Sequence, residues 1–297
     1  KHLHVPLIVV FALAPSFLGA TLRQYDFLLK GLIEVEKNLA DLSISFFVFT
    51  SNPPEDVFHF VQKMRAGLLV MDFDPLRIKQ DWQMRVAKKA SCACVEVDAH
   101  NVVPARFVSQ KREYGARTIR PKIHKLLSQF LVPFPKVQKE SFPIVSKKIN
   151  WKKVYSSIDV DKNVLPVEKV PGEAAANRAL HAFVRNRLRG YAEKRNDPNE
   201  DAQSGLSAYF HFGQLAPARA ALLVSSLPKS SDRDAFFEEL IVRRELADNF
   251  CLYTPSYDTS LCFPAWAVAA LHSHASDARE YLYTKKQFEE GKTHDPL

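Results

Sequence analysis

The first 130 residues alternate short apolar runs with helical patterning, and this alternation restricts the fold more than any other feature of the chain. The runs are Leu7–Ala14 (LIVVFALA), Ile44–Thr50 (ISFFVFT), Gly67–Phe73 (GLLVMDF) and Ala93–His100 (ACVEVDAH). Between them, Thr21–Leu42, Glu55–Ala66 and Pro75–Ala90 carry apolar residues at helical spacing, with Pro75 suited to a first turn. Apolar strands joined by helices predict a parallel sheet, here a Rossmann-like, doubly wound α/β layer over residues 1–131.

From Val132 to Gly172 the chain becomes rich in Pro, Lys and Ser without a sustained period, so residues 132–172 are predicted to connect two domains. Beyond Gly172 the patterning is helical almost throughout: Glu173–Lys194, Ala216–Leu227, Phe236–Phe250, Ala265–His274 and Asp277–Gly291. The expected fold class is α/β followed by all-α, with the helical domain over residues 173–297.

Several classes of function drop out. The apolar run Val5–Pro15 is half the roughly twenty residues that a bilayer span needs, so a buried strand is expected and no membrane partner. Four scattered cysteines supply neither a disulfide framework nor zinc spacing, and a reducing compartment is the default. The pairs His2/His4 and His272/His274 lack a third ligand nearby, so no metal is expected. Neither GxGxxG nor GxxxxGK[ST] occurs among only nine glycines, which argues against a classical dinucleotide or ATP site. A net charge of +8 favours an anionic partner, with nucleic acid ahead of a membrane surface.

Three stretches carry candidate chemistry. In FFEELIVRRELADNF (Phe236–Phe250), ideal α-helical spacing puts Glu239 and Arg243 on the same face as Phe236, Leu240, Ala247 and Phe250. Glu238, Glu245 and Asp248 then take the solvated side. A carboxylate among phenylalanines is either an edge ion pair with Arg243 or one wall of a polar cleft. In GYAEKRNDP (Gly190–Pro198), at the end of a basic helix, Tyr191 and Arg195 either complement the helix dipole or contact phosphates. In SGLSAYFHFGQL (Ser204–Leu215), Ser207 either caps a helix or joins a phosphate cradle at its start. The basic run Lys111–Lys125 is read as a solvated face, and no Ser/His/Asp or Cys/His nucleophile signature is present.

Six separated motifs resemble, in order and spacing, the class II cyclobutane pyrimidine dimer photolyases of the photolyase/cryptochrome superfamily. They are VDAHNVVP (Val97–Pro104), EYGARTIRPKIHKLL (Glu113–Leu127), SGLSAYFHFGQ (Ser204–Gln214), EELIVRRELADNFC (Glu238–Cys251), HASDAREYLYT (His274–Thr284) and THDPL (Thr293–Leu297). The resemblance implies an α/β domain beside a helical domain that holds FAD in a folded form, active when reduced. Tyr191, Ser204, Gly205, Leu206 and Ser207 would contact the FAD, and Phe236, Leu240 and Arg243 would line its pocket. Glu239 would be the active-site acid and Arg195 would face DNA.

The implied reaction is light-driven repair: reduced FAD passes an electron to a flipped-out pyrimidine dimer in damaged DNA, and the cyclobutane ring splits. The implied protein is an intracellular monomer, nuclear if eukaryotic and otherwise cytoplasmic. A second, antenna chromophore in the α/β domain is left open. The resemblance further leads one to expect that both ends are missing and the helical domain is incomplete, and Ala208 and Phe210 depart from the usual subclass pattern. The rival functions are a cryptochrome-like photoreceptor and a non-catalytic DNA-binding fragment.

Overall fold

The computed structural model describes residues 5–295 apart from 143, 145 and 146; the His2/His4 pair and the end of the THDPL motif lie outside the described residues. Two compact units are distinguished, Lys1–Tyr253 and Thr254–Leu297.

The first unit opens with the predicted alternation. Strands β1 (Ile8–Ala12), β2 (Ser45–Phe49), β3 (Leu68–Asp72) and β4 (Ala93–Val97) are separated by α1 (Leu22–Asp41), α2 (Pro53–Lys63) and α3 (Arg77–Lys89). All pairing is parallel, β1 with β2 and β3 with β4, so among the described residues the layer consists of two ladders of two strands. Helix α1 begins at a capping box in which Thr21 and Gln24 satisfy each other's free donors. Pro53 stands at the first turn of α2. Pro75, in contrast, precedes α3, because the Asp74 carboxylate accepts the Leu76 N–H at 2.9 Å and holds a turn there.

Two apolar clusters share α1. Its Tyr25, Leu29 and Leu32 pack with Leu13, Phe46, Val154 and Ile158, while Phe27 belongs to the larger helical core. Val154 lies on α6 (Trp151–Ser156), inside the stretch read as connection, where Trp151 Nε1 donates to Glu36 at 2.7 Å. That helix is too short to show a period, which explains its absence from the sequence pattern.

The basic run around Lys111–Lys125 is a solvated face only in part. From Ala116 it belongs to α5 (Ala116–Phe130), which follows the short α4 (Ala105–Val108) and buries Ile119 and Ile123 in the helical core. Lys111, Arg117 and Lys125 are exposed, whereas Arg120 and Lys122 pair with Glu238 and Glu113. After α5 and α6 come α7 (Glu173–Asn186), α8 (Tyr191–Lys194), α9 (Ser207–His211), α10 (Pro217–Ser225) and α11 (Ser231–Phe237). A π-helical turn, Glu238–Arg243, then leads into α12 (Arg244–Tyr253). The predicted helix Glu173–Lys194 is thus broken between α7 and α8, where Gly190 takes a φ of +84° that other residues rarely adopt.

Helix α12 docks on the loop between β4 and α5. Glu245, 2% exposed, accepts the Val102 N–H at 2.7 Å and the Val103 N–H at 3.1 Å. Asn249 accepts the Glu113 N–H at 2.7 Å and donates to Lys111 O, and Tyr253 Oη donates to Ser109 O at 2.7 Å. Asp248 faces His100 at 3.0 Å. Both acids were expected on the solvated side of their helix; Glu245 is instead fully buried and Asp248 14% exposed, since the face of α12 that carries Glu245 and Asn249 is the one covered by the loop.

The second unit holds α13 (Ala265–Ser273) and α14 (Lys285–Glu289). The helix predicted over Asp277–Gly291 is confined to α14. A capping box between Thr284 and Gln287 starts it late, and the preceding Tyr281 stacks on His294 at a centroid distance of 3.7 Å.

Glu113 and Glu245 are both buried, yet they titrate in opposite directions. Burial drives the Glu245 carboxyl up to about 8, and its two backbone donors only partly oppose this. Burial also acts upward on Glu113, but hydrogen bonds from Lys122 and Ser109 outweigh it and hold the group at about 2. Both have an ordinary value of 4.5. The folded protein therefore keeps a proton on Glu245 that the unfolded chain releases, and this contribution, complete below 4.5, is lost as pH rises through 8. The Glu113 contribution is complete above 4.5 and lost as pH falls toward 2. Urea-unfolding midpoints measured against pH should decline on both sides, and Glu245→Gln should flatten the alkaline decline alone. An alkaline decline of unchanged size in that variant would show that Glu245 does not carry the proton.

Candidate functional site

The break at Gly190 sets up one side of the site. Asp232, on α11, accepts the Gly190 N–H at 3.0 Å and the Ala192 N–H at 2.9 Å, clamping the start of α8. These backbone donors, that of Ala192 first, hold the Asp232 carboxyl below the usual range. Tyr191 between them is buried and meets Phe183 and Phe236 edge to face, at centroid distances of 5.6 and 5.8 Å. Its phenol is shifted upward by burial and then by the nearby Glu239 charge, with Arg195 opposing.

Glu239 and Arg195 come together across the two elements, Oε1 to Nε at 3.6 Å. The distance exceeds a hydrogen bond, and the buried Arg195 Nε has no hydrogen-bond partner, while the Glu239 side chain remains 42% exposed. An acid with free acceptor capacity thus stands against a cation and an aromatic. Arg195 also donates to Ala192 O and its carbonyl accepts from Gln203, which fixes its position.

The pairing of Glu239 with Arg243 expected from α-helical spacing does not occur. Through the π turn, residues five apart stack instead of four, so Arg243 Nε reaches Glu238 Oε1 at 3.1 Å. Arg243 is 56% exposed. Leu240, Ile241 and Val242 are all buried. Three consecutive buried residues are compatible with a wide turn pressed from several sides, whereas an α-helical surface would expose one of them.

The SGLS segment lies across from Lys169 and Arg187. Gly205 takes a φ of +67°, and its carbonyl accepts Lys169 Nζ at 2.9 Å. A Cβ on Gly205 would stand 3.7 Å from Lys169 Nζ and 3.9 Å from Arg187 Nη2, so both cations crowd this backbone. Ser204 Oγ accepts the Leu206 N–H at 3.3 Å, and Ser207, the first residue of α9, is exposed and makes no capping bond. The Ser204 and Ser207 hydroxyls, a left-handed glycine and two cations, of which Arg187 also pairs with Asp201 at 2.9 Å, fit the diphosphate of a flavin dinucleotide.

The apolar candidates behave differently. Leu206, Phe236 and Leu240 are packed in the helical core with Tyr191, forming the wall behind the polar residues. The clefts described, about 470 Å³ along Asn177–Asn186 of α7 and about 460 Å³ beside Trp266 in the second unit, include none of the candidates. Among the described residues no group of His, Cys, Asp or Glu could hold a metal ion, and no helix is long and apolar enough to cross a membrane.

Lys169, Arg187, Asp232 and Arg120 were not picked out as site residues from the sequence, and Glu238, expected on the solvated side, is only 22% exposed and is bound by two arginines. Asp232 lies 40 residues from Ala192, and Arg120 lies 118 from Glu238, so no spacing rule connects them. Replacing Asp232 by Ala should cost about 1 kcal/mol, since two partly buried N–H donors lose their acceptor, and near-ultraviolet circular dichroism should report a loosened Tyr191. A signal that matches the unsubstituted protein would show that Asp232 does not hold α8.

Known proteins place these features in context. Residues 1–140 match the DNA photolyase family model. Over 99% of its length the chain is 43% identical to a deoxyribodipyrimidine photo-lyase of Potorous tridactylus and 41% identical to one of Arabidopsis thaliana. It spans 56% and 62% of those proteins. An archaeal photolyase structure from Sulfolobus tokodaii, with two FAD molecules, superposes with a TM-score of 0.63 at 17% identity, over 84% of this chain and 54% of that one. Residues 1–140 thus match the DNA photolyase family, and nearly the whole length of the chain is similar to deoxyribodipyrimidine photo-lyases.

Proposed function

We propose that this chain carries part of the machinery of a class II photolyase, which repairs cyclobutane pyrimidine dimers in DNA with light. The observation that carries the reading is the Glu239 carboxylate, held beside Arg195 and Tyr191 on a π turn with its acceptor capacity free. π-helical turns of this kind recur at functional sites. The similarity to named deoxyribodipyrimidine photo-lyases supports the same reaction.

FAD, when bound in its reduced form, supplies the photoexcited electron. Ser204, Gly205 and Ser207, with Lys169 and Arg187, would hold its diphosphate, and Tyr191, Leu206, Phe236 and Leu240 would back it with an incompressible wall. Glu239 would hydrogen-bond the base of a flipped-out dimer where negative charge develops, acting by placed electrostatics and not as a nucleophile. Arg195, 3.6 Å from the acid, would present its charge toward the DNA backbone. The partner is dimer-containing DNA and the working form a monomer, in the nucleus of a eukaryote or the cytoplasm otherwise. The two FAD molecules of the Sulfolobus relative support a second, light-harvesting chromophore here as well.

In the full protein, Glu239→Gln should lower repair yield per photon about tenfold or more, the scale of one lost charge-assisted hydrogen bond, and leave flavin content unchanged. Loss of flavin in that variant would move Glu239 from the dimer to the cofactor. Lys169→Ala should show the reverse pattern, weaker flavin uptake in equilibrium dialysis with the yield per bound flavin retained; unchanged uptake would remove Lys169 from the cradle.

A further inference from the structure

We infer that Glu238 is the positioning residue of this site: gripped by Arg120 from α5 and by Arg243 from the far end of the π turn, it sets the turn that aims Glu239 at Arg195. The inference rests on the reading of Glu239 as the acid of the site.

Glu238 and Glu239 are neighbours in sequence with different tasks. Glu238 Oε2 accepts Arg120 Nε at 2.9 Å, and Oε1 accepts Arg120 Nη2 at 2.7 Å, a bidentate fork joining α5 to the turn. Its Oε1 accepts Arg243 Nε as well. With both oxygens occupied, Glu238 has little left to offer a ligand, and the Arg120 hydrogen bonds, ahead of opposing burial, hold its carboxyl below the usual range.

The contact between Glu238 and Arg243 doubles as a gauge of the backbone. In an α-helix, residues five apart point about 140° away from each other, so this pair can close only across the wider turn. Reversion to α geometry would break it and rotate Glu239 by about one residue, some 100°, away from Arg195. The π turn gives up regular hydrogen bonding, and its apolar neighbours bury Leu240, Ile241 and Val242 without specifying where Glu239 points. The arginine fork supplies that specification.

Arg120 and Arg243 are 38% and 56% exposed, and ion pairs so placed add little to global stability. Their removal should therefore leave the fold in place and move the acid. The test uses the full 297-residue chain with isotope-labelled arginine, following the Nε–H resonance of Arg195, assigned by Arg195→Lys. Glu239→Gln supplies the reference signal for an absent carboxylate. Glu238→Gln, and independently Arg120→Gln in case the first variant misfolds, should shift the resonance toward that reference and speed its exchange with solvent about tenfold, with the urea midpoint nearly unchanged. Repair yield per photon should fall with it. A resonance that stays at its original position in both variants, while Glu239→Gln moves it, overturns the inference. If the unsubstituted parent protein neither takes up flavin nor repairs DNA, the light-driven reading fails, and the arginine signal still decides the role of Glu238.

Discussion

A buried acid ties the two halves of the first unit together. Glu245 gives up water, which for an unpaired carboxylate costs several kcal/mol, and in return accepts two successive backbone N–H groups of the loop after β4. Those donors would otherwise be buried without partners. Holding a proton on the carboxyl lowers the cost further, because a neutral acid avoids most of the desolvation penalty. Asn249 and Tyr253 repeat the arrangement one and two turns along α12, each answering a backbone group of the same loop. The loop itself is prepared by Asp98, which accepts the Asn101 and Ala105 N–H groups at 2.9 and 2.8 Å.

From this clasp the geometry of the site follows outward. Helix α12 is anchored at its polar face, so the π turn that precedes it cannot shift along its axis. The turn is then held laterally by Arg120, which reaches across from α5, the helix that the same loop leads into. On the other side α11 carries Asp232 to the start of α8 and so places Tyr191 and Arg195. Glu239 meets Arg195 only because both routes end at the same place. Each step is a charged or polar side chain satisfying backbone groups or a guanidinium fork, which gives directional control that apolar packing alone lacks.

The parts legible in the sequence are those with a local period. Four strands and the main helices of the α/β part fall where alternation put them, because burial on a sheet or along one helix face repeats every two or 3.6 residues. Glu239 could be singled out for the same reason, as a charge out of place on an apolar face. Its partner could not. Ideal spacing assigned Arg243 to it, and one π turn, which has no sequence signature at this level, transferred Arg243 to Glu238 and left Glu239 to Arg195. Glu245 was assigned to solvent because a helical wheel knows nothing of a loop 142 residues away. The basic run of α5 misled for a related reason: Arg120 faces an acid 118 residues away, and Lys122 meets the run's own Glu113 only because the loop folds back against the helix.

The motif set gains a physical meaning from these contacts. VDAHNVVP and EYGARTIRPKIHKLL, close together in sequence, meet EELIVRRELADNFC from more than a hundred residues away as opposing faces of one clasp: Val102 and Val103 with Glu245, Glu113 with Asn249, Arg120 with Glu238. A substitution at Glu245 or Asn249 strands buried groups of the loop, at about 1–3 kcal/mol each, whereas the partly exposed Arg120–Glu238 fork contributes direction more than stability. The Sulfolobus fold neighbour keeps the architecture at 17% identity, so packing of this kind is reached with largely different residues. What the clasp adds is the aim of a single carboxylate, since a displacement of the π turn too small to disturb the core would still point Glu239 away from Arg195.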